Sequence, residues 1–192
     1  MIGLLAAALL LLGAVACNAA DVSGVVTVGR AAAAETVVYL ESGAVPPPPQ
    51  TPAHVVMDQK NLTFVPGVLA VRRGTVIEFT NSDDVQHNVF TPAAIAGRFN
   101  LGTYNRGEAR SVPLDQSGEA VVLCNIHMEM EAHIVVLDGP WFATTDRGGA
   151  FRIRDVPAGR YTLRVWRRGW LPYTRAVDVG GESLRVDMEI PR

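Results

Sequence analysis

The stretch Glu119-Ala-Val-Val-Leu-Cys124-Asn-Ile-His127-Met-Glu-Met130-Glu-Ala-His133-Ile-Val-Val-Leu137 decides how the chain reads. Two runs rich in Val, Ile and Leu, each of strand length, flank a short loop. Cys124 closes the first run, His127 follows three residues on, and Met130 three beyond that. One tight connection between two strands therefore presents a thiol, an imidazole and a thioether to a common point. Upstream, Gln86-His87-Asn88-Val89-Phe90 supplies a second imidazole at the head of another short run, 37 residues before Cys124.

Outward from this stretch the same grammar continues. Short β-branched runs recur at 22–28, 36–40, 68–71, 75–80 and 109–114. Helical periodicity is absent, and 92–106 is the one longer stretch with no strand signal. Many short strands at regular spacing predict an all-β protein of sandwich or barrel type. Val45-Pro-Pro-Pro-Pro-Gln-Thr-Pro52 favours extended polyproline geometry and reads as a stiff connector. Toward the end Phe151-Arg-Ile-Arg alternates, and after a Pro157-Ala-Gly159 turn Tyr161, Leu163 and Val165 share one strand face.

Composition agrees. The chain has 192 residues, 48% hydrophobic and 19% charged, which excludes a disordered or collagen-like polymer. A net charge of −2 gives no basic surface for nucleic acid. Two cysteines make neither a disulfide framework nor a four-cysteine zinc site. Residues 21–140 carry 7 basic and 13 acidic side chains, whereas 141–192 carry 10 and 6, so the chain divides into two modules of unlike charge.

Residues 1–16 are almost wholly apolar, and Ala14-Val15-Ala16 supplies the small residues of a cleavage site. At that length the segment fits the apolar region of a secretory signal better than a bilayer span. Export to the periplasm or cell envelope is therefore expected. Cys17 follows at once, as in a bacterial lipoprotein signal, where it would carry the lipid; simple cleavage after Ala16 leaves Cys17 incidental. No later segment approaches membrane-spanning length, so an N-terminal lipid is the one membrane contact expected.

The chemistry is concentrated in His87, Cys124, His127 and Met130. One thiolate, two imidazoles and a weak axial thioether form the ligand set of a single type 1 copper ion. Zinc is the main rival, since Cys/His sites also take it. Met128 offers a second thioether, with Met130 the preferred axial donor and Met128 expected on the surface beside His127. His54 and His133 are expected to face solvent. Copper enzymes need a further His-rich centre, and only four histidines are present, so electron carriage rather than catalysis is expected.

Residues from about 53 to 138 resemble the cupredoxins, the blue-copper family that includes plastocyanin, pseudoazurin and amicyanin. Phe64-Val-Pro-Gly-Val-Leu-Ala-Val-Arg-Arg-Gly-Thr-Val-Ile-Glu-Phe-Thr-Asn81 with His87-Asn88 matches the first half, and the Cys-x-x-His-x-x-Met loop matches the second. The resemblance implies a Greek-key β-sandwich with His87, Cys124, His127 and Met130 on copper and Asn88 bracing the ligand loop. Glu129 and Glu131 would flank the site with negative charge. Thr144-Thr-Asp-Arg-Gly-Gly-Ala-Phe and Val156-Pro-Ala-Gly-Arg-Tyr-Thr-Leu resemble the carboxypeptidase regulatory-like domain, a small Ig-like or transthyretin-like sandwich. Its opening strand pair is expected at Gly24–Val28 and Val37–Leu40, so that 21–45 and 141–192 close one sandwich with 53–138 inserted. Trp166, Arg167, Arg168 and Trp170 then make either an aromatic, basic patch for a glycan or lipid headgroup, or the contact between modules.

Together these features predict an exported blue-copper protein passing single electrons between periplasmic partners such as a cytochrome or dehydrogenase. The alternatives are an envelope copper-binding or delivery protein and a structural module with little use for metal.

Overall fold

The computed structural model describes residues 19–49, 53–92 and 97–191; the apolar leader and Cys17 lie outside these described residues. In chain order the strands begin with β1 (Ala19–Val28), β2 (Ala31–Ala32), β3 (Val37–Glu41), β4 (His54–Gln59), β5 (Phe64–Val65) and β6 (Val68–Arg72). They continue with β7 (Thr75–Asn81), β8 (His87–Phe90), β9 (Asn100–Tyr104), β10 (Ala109–Leu114), β11 (Gly118–Leu123) and β12 (Glu131–Leu137). The last are β13 (Phe142–Thr144), β14 (Ala150–Pro157), β15 (Gly159–Trp166), β16 (Tyr173–Val179), β17 (Leu184–Arg185) and β18 (Met188–Glu189). The described residues contain no helix, in keeping with the expected all-β class.

Strands β4–β12 form two sheets, ordered β10-β7-β4-β5 and β6-β12-β11-β8-β9. Their inner faces bury Met57, Ile77, Phe79, Val122, Ile134 and Val136 in one core. Fully burying a side chain of this size stabilises by about 1.5–3 kcal/mol, so the alternation of β7 (Thr75, Ile77, Phe79 and Asn81 inward) fixes its register strongly. The expectation of no strand in 92–106 is corrected by β9. Its burial is nearly all outward, with Tyr104 alone enclosed, and Gly102 takes a positive φ of 72°. An edge strand held by one aromatic anchor has no two-residue hydrophobic period to read.

β1 pairs with β2, β14, β17 and β18, and β3 with β13 and β15. One sheet places β14 and β17 on either side of β1, with β2 and β18 also pairing β1; the other runs β13-β3-β15-β16. Val22, Val26, Val38, Leu40, Trp141, Ile153, Tyr161 and Leu163 fill the core between them.

A third cluster joins the two sandwiches: Val37, Val68, Val135 and Leu137, with Tyr39, Phe142 and Trp166 packed against them. β12 is consequently buried on both faces from Ala132 to Leu137. This overturns the expectation that His133 faces solvent: it is 6% exposed, its ring 5.5 Å from that of Trp166. Alternation gives a strand two faces, and here the second is covered by β3, β13 and the end of β15. His54 is exposed as expected.

Candidate metal centre

His87 opens β8, which lies between β9 and β11: His87 pairs with Tyr104, and Phe90 with Leu123. Cys124 is the first residue past β11, and it faces the same core as Val89. The loop beyond it closes on itself. Met130 N donates to His127 O at 3.0 Å, and Cys124 N donates to Met130 O at 3.3 Å. These bonds carry the β11–β12 ladder one step past the Leu123–Glu131 pair, leaving 125–129 as the turn.

Three donor atoms converge. Cys124 Sγ lies 4.0 Å from His87 Nδ1, and His127 Nδ1 lies 3.1 Å from the same nitrogen. The donors of His87, Cys124 and His127 all fall within 4.8 Å of one another. Two inward Nδ1 atoms at that separation can share one proton; with both neutral and acceptor-sided they repel. A cation bound by both nitrogens and the thiolate resolves this, so the residues present fit one copper ion. His87 is wholly buried and Cys124 nearly so, whereas the His127 ring is partly exposed. Of the two thioethers, Met130 is 1% exposed in the same core as Cys124, while Met128 is 88% exposed.

Sequence reasoning missed Asp83. Its Oδ2 accepts a hydrogen bond from His87 Nε2 at 2.9 Å, which fixes the tautomer that leaves Nδ1 free as a ligand. Asp83 is itself held by the amides of Asn61 (2.6 Å) and Leu62 (2.9 Å). Burial would raise its carboxyl, but those amides and His87 outweigh it and hold the pKa below the ordinary 3.8. Asn61 and Leu62 both take positive φ, 55° and 56°, at the centre of a turn in which Lys60 and Thr63 exchange backbone hydrogen bonds. A carboxylate in Ser82-Asp-Asp84 carries no spacing signature, and only the turn brings it to the imidazole.

Asn88 donates to Asn100 Oδ1 at 3.0 Å, so its amide braces β8 to β9 rather than to the ligand loop. Glu129 is exposed, but Glu131 is turned away toward Arg168 and His133. Trp166 belongs to the joining cluster, Arg167 donates to Ala34 O and Thr36 Oγ1, and Trp170 packs on the core of the second sandwich. Each of these four residues makes contacts within the molecule.

Residues 52–137 match the family described as copper binding proteins, plastocyanin/azurin family, and residues 114–191 match the carboxypeptidase regulatory-like domain. The second match begins at the end of β10 and takes in β11 and β12, yet these strands pair with β8 and β6; β14 pairs with β1, and β15 with β3 and β16. No curated protein matches the chain. Among solved structures, a reduced amicyanin variant is similar at 24% identity, covering 43% of this chain and 81% of its own, with a TM-score of 0.40. A copper-containing nitrite reductase from Thermus scotoductus SA-01 is 26% identical over 51% of this chain and 25% of its own, with a TM-score of 0.41.

Proposed function

We propose, from the premise that residues 52–137 are a cupredoxin-type copper-binding domain suited to one copper ion, that the protein is an exported single-electron carrier. The observation that carries this reading is the convergence of His87, Cys124 and His127 beside the buried Met130. Copper bound there supplies a one-electron couple. The chain supplies the rest. Asp83 keeps the His87 imidazole in its ligand tautomer, and the backbone bonds of the 124–130 loop hold thiolate and thioether in place whichever charge the metal carries. A site that does not rearrange between oxidation states exchanges electrons with little reorganisation.

Burial of His87, Cys124 and Met130 keeps water from the donors, so electrons would pass at the His127 edge. Exposed Ile126 and Met128 on either side of it form an apolar rim for a redox partner such as a cytochrome or dehydrogenase. Lipidation at Cys17 suits the same reading. β1 begins opposite Pro157, at the end of the second sandwich where β15 starts, and the other end of β15, Trp166, packs on His133 near the ligand loop. The eight residues of β15 span about 25 Å, so an anchored chain would hold the loop away from the membrane.

The test is to add Cu(II) to residues 19–192 and record visible absorption and EPR spectra beside Cys124→Ser. An intense thiolate-to-copper band with narrow copper hyperfine splitting, lost in the variant, is expected. A colourless protein, or a pale spectrum indifferent to Cys124→Ser, sinks the reading. Ready passage of the copper to a metal-free acceptor would instead favour delivery.

A further inference from the structure

The two sandwiches meet at a polar network whose end lies one residue from the ligand loop. Arg168 Nη2, from the loop after β15, donates to Glu131 Oε2 at 2.8 Å. Glu131 Oε1 lies 3.0 Å from His133 Nε2, off the hydrogen-bonding line. On its other side the His133 ring places Nδ1 2.9 Å from Glu119 Oε1, and Trp166 Nε1 donates to Glu119 Oε2 at 3.4 Å. Glu119, Glu131 and His133 belong to the copper-binding domain; Trp166 and Arg168 belong to its neighbour.

Location makes this network more than an interdomain contact. Glu131 opens β12 directly after Met130, and successive strand side chains leave on opposite faces. Drawing Glu131 toward Arg168 and His133 therefore turns Met130 into the core, where it is 1% exposed. Cys124 N donates to Met130 O, so the same residue also fixes the backbone of the thiolate. The His133 side chain is 7% exposed, a dry setting in which its hydrogen bond with Glu119 is stronger than at the surface. Arg168 is 61% exposed, so its ion pair with Glu131 is weak by itself and Trp166 and Arg168 act jointly.

We infer that Trp166 and Arg168 are positioning residues for the copper ligand loop, so that the carboxypeptidase regulatory-like module is a working part of the metal centre. This inference rests on the copper reading above.

The test uses residues 19–192 with Arg168→Met, Trp166→Phe and Arg168→Lys. Arg160→Met serves as control, because the Arg160 side chain pairs with exposed Asp178 in the same module. In the metal-free protein, amide hydrogen exchange at Cys124 should quicken in the Met and Phe variants and stay unchanged in Arg160→Met. In the copper-loaded protein, loss of copper to a chelator should accelerate about tenfold, with a shifted thiolate-to-copper band. Arg168→Lys should restore both readings in part. Native-like melting with unchanged exchange and copper loss in both Arg168→Met and Trp166→Phe overturns the inference. Should the parent protein show no thiolate band, the copper reading fails by itself, while the exchange rates still decide whether the network holds the loop.

Discussion

At the scale of single residues, the centre depends on which nitrogen of His87 faces inward, and that is decided by a carboxylate. Asp83→Asn replaces a pure acceptor with a group that presents donors as well, and the ligand tautomer loses its support. Copper affinity, measured by competition with a chelator, should fall about 10–100-fold. Acid stability should change with it. A carboxyl held below 3.8 contributes stability that is complete above its unfolded-state value and lost as pH falls through the lower folded-state value. In the metal-free Asn variant, melting temperature should therefore decline less steeply at the acid end. His87, Cys124 and His127 were legible in the sequence because few side chains offer nitrogen or sulfur donors, and their spacing beside strand runs leaves little freedom. Asp83 was not, because carboxylates are common and its role depends on a turn twenty residues upstream. His133 was misread because a strand's period fixes its faces without saying what lies against each.

At the scale of elements, the turn at 60–63 combines necessity with strain. Positive φ at both central residues matches a two-residue hairpin turn of the primed type, which prefers Asn-Gly. Asn61 suits it, whereas a left-handed Leu costs about 1–2 kcal/mol. Leu62→Gly should stabilise the protein by about 0.5–1 kcal/mol after glycine's own entropy cost, raising the melting temperature by about 2–4 °C per kcal/mol. Leu62→Ala, which keeps the strain, should give no such gain. The strands with strict alternation, β7 and β15, and β14 up to its break at Arg154-Asp155, were readable because one face of each meets a core. β9 was not, since most of its side chains are at least partly exposed and pairing with β8 alone defines it.

At the scale of the whole molecule, the chain leaves the second sandwich after β3 and returns at β13, directly beside its exit: Leu40 N donates to Trp141 O, and Phe142–Thr144 pair with Val37–Tyr39. Val22 and Val26 of β1 and Val38 and Leu40 of β3 lie in the same core as Tyr161 and Leu163. Removing residues 19–45 should therefore unfold 141–192, read as lost amide dispersion there in NMR spectra; a module that stays folded without them contradicts this pairing. The charge shift and the missing opening strands suggested two modules, but the joining cluster around Val37, Val135 and Trp166 could not be read, because nothing in a strand's own pattern names the surface that will cover it. This connectivity also sets an order in time. During synthesis β1–β3 emerge about a hundred residues ahead of the strands that complete them, with their edges open to wrong partners. β4–β12, whose pairings are internal to 54–137, can close in the interval. The inserted sandwich can thus close before its neighbour, and the seal across its back is the last part to form.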